Sequence, residues 1–143
     1  MCIEIFIFRI WCFIKKKIYL IDSQDAVYGN IAYDLASLID DVRFKTTFEQ
    51  KEKILKKYLS MNKSVEVNKL KNDFEILSVL RNLKIIGIFT RLSIRDNKTK
   101  YLKLVPRAWN LIELRIGKDK KFKKLKDILD KFFTKKIRRK IWE

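Results

Sequence analysis

Apolar and polar residues alternate differently at the start of the chain and along the rest of it. Residues 3–22 are rich in Ile, Phe, Trp and Tyr, which favour strands, and three consecutive lysines at 15–17 interrupt them. We therefore predict a β-hairpin over residues 1–22. The lysines would form its exposed turn, and a short buried strand over 18–21 would end at Asp22.

From residue 30 onward the spacing changes to that of helices. Asn30 is the predicted N-cap of a first helix, and Asp34 lies near its start, where the helix dipole favours a carboxylate. A second helix is predicted to open with a capping box formed by Thr46 and Glu49. The predicted apolar faces of these two helices are Leu35, Leu38, Ile39 and Val42 in the first, and Leu55, Tyr58 and Leu59 in the second.

A long helical segment is predicted over residues 65–94. Its second half is apolar on most sides, which is typical of a central core helix. Pro106 suits the first turn of the next helix, which stops near Gly117. A last amphipathic helix covers 122–133.

Together these elements predict an α+β, mostly helical fold in one domain. The hairpin with a divergent start occupies residues 1–22, a lobe of four to five helices occupies 23–134, and a basic tail occupies 135–143. Three glycines and one proline are too few for the many turns of an all-β protein.

The formal net charge is +17, which attracts phosphates, nucleic acid or an anionic surface. The basic residues are spread along the chain at the edges of apolar stripes, and this argues against a nucleic-acid site. There is no histidine, which excludes mechanisms that need an imidazole base or ligand. Cys2 and Cys12 do not have the spacing of a zinc site.

The apolar run over residues 3–14 contains Glu4 and Arg9 and is too short to span a bilayer. Its positive charges follow the apolar run, whereas in a signal peptide they precede it. We therefore expect a cytoplasmic protein without a membrane partner.

Acidic residues flank the loop that follows the predicted hairpin, in the segment LIDSQDAVYGNIAYDLASL over residues 20–38. Asp22 would lie at a strand end and Asp34 at a helix start. Mg²⁺ takes one or two carboxylates together with phosphate oxygens, and kinases place such an Asp just after a short strand. On residue types alone, acids beside a loop are more often helix caps and solvated turns than metal ligands.

This segment resembles the metal-binding motif of the aminoglycoside phosphotransferase and choline kinase family, above all in its bacterial amino-sugar kinase branch. A second block resembles the same branch in the same order: RNLKIIGIFTRL over 81–92, then Arg95-Asp96, Tyr101-Leu102 and PRAW over 106–109. The resemblance covers roughly residues 15–130 and implies the C-terminal lobe of a protein-kinase-like fold. In the intact family it also implies ATP, Mg²⁺ and an amino-sugar substrate.

The resemblance implies a role for each matching residue. Asp22 would bind Mg²⁺, and Asp34 would support the catalytic loop. Gln24 and Asp25 match the branch without a defined role. Arg81 and Arg91 are expected to be structural, and Ser23 replaces an aromatic residue.

The family's His-x-Asp-x-x-x-x-Asn catalytic loop and its nucleotide lobe have no counterpart in the sequence. Asp22 is the first aspartate in the chain. We therefore expect a phosphotransferase fragment that is inactive alone and that has no bound cofactor of its own. Two alternatives stay open: a basic helical module that binds nucleic acid or an anionic surface, and a subunit that complements a separately encoded N-terminal half.

Overall fold

The structure is a computed structural model, and it describes residues 11–14, 17–20, 28–117 and 119–140. Most of these residues are helical, which confirms the predicted mostly helical class. The chain divides into two compact units, Met1–Leu77 and Ser78–Glu143. In the described ranges, no helix has the length and apolar character needed to cross a membrane.

Two short strands precede the helices, β1 over Trp11–Ile14 and β2 over Lys17–Leu20. They pair antiparallel, with Trp11 opposite Leu20 and Ile14 opposite Lys17. These two strands do not establish the predicted hairpin over residues 1–22, which stays a prediction. The remainder of that segment, Asp22 included, lies outside the described residues.

The helical part of the first unit consists of α1 (Ala32–Ile39), α2 (Phe48–Met61) and the beginning of α3 (Val67–Asp96). One face of α1 packs against α3 and forms the core. The predicted apolar face of α2 is confirmed, because Leu55, Tyr58 and Leu59 pack partly buried against this core. The buried members of the core are Ala32, Leu35, Ala36, Ile39, Leu70 and Phe74.

Two positions of the predicted α1 face differ in the structure. Leu38 is 39% exposed, so it lies at the edge of the core rather than within it. The helix ends at Ile39, and Val42 is buried from the turn that follows. A helix of two turns presents only a narrow stripe to its neighbours, and this stripe excludes Leu38.

The capping box at the start of α2 is one residue later than predicted. Thr47, not Thr46, is the N-cap: its hydroxyl accepts from the amide of Gln50, 3.2 Å away, and the Gln50 side chain accepts from the amide of Thr47 at 2.8 Å. The Thr46 hydroxyl instead donates to the carbonyl of Ile39 at 2.6 Å. Because the Thr46 hydroxyl is engaged with the end of α1, Thr47 rather than Thr46 caps α2.

The second unit contains the rest of α3, then α4 (Val105–Ile116), α5 (Lys123–Phe132) and α6 (Lys135–Arg138), with 3₁₀ turns before α4 and α5. Pro106 lies in the first turn of α4, as predicted. Helix α4 contributes most of the core of this unit. Its buried residues are Val105, Ala108, Trp109, Leu111, Ile112 and Ile116.

The second half of α3 was expected to be a central core helix, and in this respect the prediction was wrong. Most of its apolar residues are only half-buried, and Leu80 and Ile94 are 53% and 79% exposed. A helix that is apolar on most sides is buried only where neighbours surround it. Tyr101, stacked on Phe89 with ring centroids 5.4 Å apart, covers one part of this surface.

The predicted basic tail includes a buried residue. Thr134 caps α6 by accepting from the amide of Ile137. Arg138 is 3% exposed, and its guanidinium donates to Glu113 at 3.0 Å and to Asp130 at 2.6 Å. It also lies 5.0 Å from the Trp109 ring centroid. Residues 134–138 are therefore part of the packed second unit.

Candidate functional site

The described part of the acidic segment begins at its exit into α1. Asn30 organises this exit: its side-chain oxygen accepts from the amide of Ala32 at 3.0 Å, and its side-chain nitrogen donates to Asp73 of α3 at 2.7 Å. The prediction of Asn30 as the N-cap was one residue early, because Ile31 is the N-cap of α1, and the Asn30 side chain bonds the amide of Ala32 from the residue before the cap. One amide side chain fixes the loop exit to both α1 and α3.

Asp34 lies in the first turn of α1 and is half-buried. The free amide groups of a helix N-terminus favour a carboxylate at this place. Its neighbours Ala32 and Ala36 are fully buried, so the backbone that presents Asp34 is rigidly packed. Asp22, Gln24 and Asp25 lie outside the described residues, and their roles stay predictions.

The donor chemistry of the segment suits a hard cation. Asp22 and Asp34 offer carboxylate oxygens, and Mg²⁺ is commonly held by one or two carboxylates, with water and phosphate oxygens completing its shell. Within residues 28–117 and 119–140, no group of three or more Cys, Asp or Glu side chains is arranged to hold a metal ion.

Two buried acids at the end of α1 were not identified from the sequence. The Asp40 side chain is fully buried and pairs with Lys51 of α2, with 2.7 Å between Oδ1 and Nζ. The Asp41 side chain is 5% exposed and receives three hydrogen bonds from Arg43, two from the guanidinium and one from the backbone amide. The sequence did contain one sign of their burial: both acids lie between the apolar residues Ile39 and Val42, which are themselves buried.

These two pairs fix the corner between α1 and α2. A buried carboxylate is tolerated only when it is paired and hydrogen-bonded. Lys51 reaches Asp40 from the first turns of α2, so this ion pair joins two helices that are separate in sequence. The corner therefore supports α1, which carries Asp34.

The block over residues 81–92 that resembles the amino-sugar kinase branch lies in α3, and its two arginines differ in exposure. Arg91 is exposed and not buried, whereas Arg81 is half-buried. Asn82, beside Arg81, is fully buried, and its side chain donates to the carbonyl of Ser78 at 2.8 Å. Its own side-chain oxygen has no partner among the described residues, which is uncommon for a buried acceptor.

An open groove of about 1200 Å³ runs between α1 and α2 in the first unit. Its apolar lining includes Leu38, Phe48 and Met61, and acidic and basic side chains of α2 form its rim. One of them, Glu49, has a lowered pKa because the Thr47 side chain hydrogen-bonds to it. Because Thr47 is the N-cap of α2, the lowered pKa of Glu49 is a consequence of helix capping and does not indicate a binding site.

A smaller cavity of about 400 Å³ lies in the second unit. Trp109, Phe133 and Ile137 form one side of it, and the Trp109 and Phe133 rings are tilted with centroids 5.2 Å apart. Thr90 and Ser93 supply the hydroxyl groups in its lining, but the Thr90 hydroxyl already donates to the carbonyl of Ile86.

Comparison with known proteins relates this chain to amino-sugar kinases. It is 29% identical over 123 residues to the N-acetylmuramate/N-acetylglucosamine kinase of Caulobacter vibrioides, covering 86% of this chain and 34% of that protein. The proteins of the same name from Neisseria meningitidis serogroup B and Pseudomonas putida are 34% and 31% identical over 99 and 116 residues. Those matches cover 65% and 77% of this chain.

The chain spans between 30% and 34% of the length of these curated relatives. No protein-family model matches it. The similarities support a relationship to the C-terminal part of an amino-sugar kinase.

Proposed function

We propose that this chain is the helical, metal-binding part of an amino-sugar phosphotransferase whose catalytic loop and nucleotide-binding lobe are not among these 143 residues. The observation that carries the proposal is the acidic segment over 20–38, which occurs in a chain similar to three kinases of one name. The substrates in that name, N-acetylmuramate and N-acetylglucosamine, are the proposed acceptors.

The geometry around the segment supports this function. Asn30 ties the loop exit to α1 and α3, and the Asp40–Lys51 pair fixes the far end of α1. Catalytic and binding groups need such support because errors of about 1 Å are costly in positioning. In this arrangement Asp34 would support the catalytic loop, and Asp22 would be the ligand that reaches the metal.

Asp22 and the carboxylate-rich loop fit Mg²⁺ in donor chemistry. When bound with ATP, Mg²⁺ would neutralise charge on the phosphates. The chain's own residues would position that ion and present one face of the acceptor site. Positioning and charge stabilisation supply most of the acceleration in phosphoryl transfer. The isolated chain is therefore expected to be inactive.

The first experiment assays the purified chain with ATP, Mg²⁺ and each of the two amino sugars. No sugar phosphate is expected, and turnover by these 143 residues alone would contradict the proposal that the catalytic loop and nucleotide-binding lobe lie outside them.

The second experiment replaces the matched third of the Caulobacter vibrioides kinase with the matched residues of this chain. The chimera should phosphorylate N-acetylglucosamine. Asp22→Asn in the chimera should lower kcat/KM by at least about a hundredfold, because a metal contributes several kcal/mol to such reactions.

The matched control is Asp127→Asn, which makes the same chemical change at an exposed position of α5 and should leave kcat/KM unchanged. Circular dichroism melting of each chimera checks that it folds. A folded, active chimera that tolerates Asp22→Asn would exclude Asp22 as the metal ligand.

A further inference from the structure

We infer that the C-terminal part of the second unit, residues 119–140, binds the surface of an anionic membrane. This segment contains eleven Lys and Arg residues against three Asp, so half of its 22 positions are basic. In the whole chain the basic fraction is 34 of 143. Basic residues are therefore about twice as frequent in this segment as in the chain as a whole.

An exposed apolar edge runs along the same segment. Leu129 of α5 is buried, but Ile128 and Phe132 are 54% and 63% exposed. These two residues are four apart, so they are neighbours on the helix surface. A strongly amphipathic helix usually buries its apolar residues, and this edge of α5 is left uncovered by the described residues.

Lysines surround this edge. Lys124 and Lys131 are four residues before and three residues after Ile128, and the Lys131 ammonium lies 5.4 Å from the Phe132 ring centroid. The acids of the helix, Asp127 and Asp130, are one or two residues from Ile128 in sequence and do not face it. The edge is therefore apolar at its centre and positive at its sides.

This combination suits a lipid surface better than nucleic acid. An amphipathic helix places apolar side chains at the boundary between headgroups and acyl chains, while its lysines meet anionic lipids. Nucleic-acid phosphates would take the lysines but would leave the aliphatic Ile128 in water. The sequence-based expectation of no membrane partner was based on spanning and signal segments, and surface binding needs neither.

The fold holds the segment in place for this contact. Arg138 is bound to Glu113 and Asp130, so α6 is fixed beside α5. The remaining basic residues of the segment, including Lys135, Lys136 and Arg139, are exposed. The surface is therefore preformed, and binding does not have to order it.

The test is co-flotation of the full chain with vesicles of phosphatidylcholine containing about 30% phosphatidylserine, a content that gives a strongly negative surface. The partition coefficient should be far higher than for pure phosphatidylcholine and should fall as salt is raised. Lys124→Gln with Lys131→Gln should lower it by about 25-fold, since each basic residue near such a surface contributes about fivefold. Ile128→Ser with Phe132→Ser should lower it by at least about tenfold.

The matched control is Lys69→Gln with Lys71→Gln, two exposed lysines at the start of α3, which makes the same change in net charge. It should lower the partition coefficient less than Lys124→Gln with Lys131→Gln does, because those two lysines flank the apolar edge of α5. An equal loss in the control would show that total charge and not this surface causes binding.

Absence of vesicle binding by the folded chain would overturn the proposal. So would binding to duplex DNA or RNA that Ile128→Ser with Phe132→Ser leaves unchanged, since the segment would then be a nucleic-acid surface. Melting curves by circular dichroism check that each variant is folded.

Discussion

Among the residues that the structure describes, the two units bury charges of opposite sign. In the first unit the buried groups are the carboxylates of Asp40 and Asp41, and their partners Lys51 and Arg43 reach solvent, with 18% and 38% of their side chains exposed. In the second unit the buried group is the guanidinium of Arg138, and its acidic partners are 27% and 44% exposed.

This difference determines which substitutions are costly. Removing the exposed partner leaves a buried charge uncompensated, whereas replacing the buried charge itself with an apolar side chain removes the desolvation cost as well. The same change from a basic residue to Met should therefore have a larger effect in the first unit than in the second.

The largest expected effect is that of Lys51→Met. The substitution removes the Lys51 ammonium from the fully buried Asp40, and the free energy of unfolding should fall by about 3 kcal/mol. Urea unfolding followed by circular dichroism measures this loss. Lys53→Met, on the exposed side of the same helix, should change stability by less than about 0.5 kcal/mol. Equal losses in the two variants would show that the pair between Asp40 and Lys51 does not stabilise the first unit.

The next largest effect is that of Arg138→Met. Two charge-assisted hydrogen bonds are lost, but Met keeps apolar contact with Trp109 and the freed acids can hydrate, so we expect a loss of about 1–2 kcal/mol. Arg139→Met, exposed and adjacent, should be within about 0.5 kcal/mol of the native protein. A loss greater than that of Lys51→Met would reverse the comparison between the units.

The acid response should also depend on Arg138. Hydrogen bonds from Lys126 and then from Arg138 lower the pKa of Asp130 below its ordinary value of 3.8. A carboxyl whose pKa is lowered by folding stabilises the fold above its ordinary pKa, and this contribution is lost as the pH falls through the folded pKa. Stability should thus fall with acid below about pH 4.

Unfolding measured between pH 5 and pH 2 should show a shallower slope for Arg138→Met than for Arg139→Met. An identical slope in the two variants would mean that Arg138 does not perturb this carboxyl. The bond from Lys126 to Asp130 remains in both variants, so the acid response should be reduced but not abolished.

The smallest expected effect is at the start of α2. Thr47→Ala removes the hydroxyl that accepts from the Gln50 amide and should cost about 1 kcal/mol. Thr47→Ser keeps the hydroxyl and should recover most of the loss. If Thr47→Ala proved neutral while Thr46→Ala was costly, the contact between Thr46 and the end of α1 would be the stronger support of this corner.

Local rules predicted most of the helices. The helical period located α1 to α5, and Pro106 marked the first turn of α4. The capping box was misplaced by one residue because Thr46 and Thr47 are equally good caps in sequence. A tertiary hydrogen bond from Thr46 to Ile39 decides between them.

The charged networks could not be predicted in the same way. Asp40 and Lys51 are eleven residues apart and on different helices, so no local pattern pairs them. Arg138 lies within a run of Lys and Arg, and sequence alone does not single out the one that is buried. For the candidate site, the sequence located Asp34 in the first turn of α1 but placed the N-cap at Asn30, one residue before Ile31. The supporting corner at Asp40 and Asp41 emerged only from the packing.

The anchoring of Arg138 limits how far the C-terminus can be shortened. Judged from the sequence alone, deleting the residues after 134 would remove only a segment rich in Lys and Arg. Such trimming would take away the shared cation of Glu113 and Asp130 and uncover the indole of Trp109. Proteolysis between residues 134 and 138 would therefore destabilise the core of the second unit. An affinity tag should be joined after Lys140, so that Arg138 keeps its contacts.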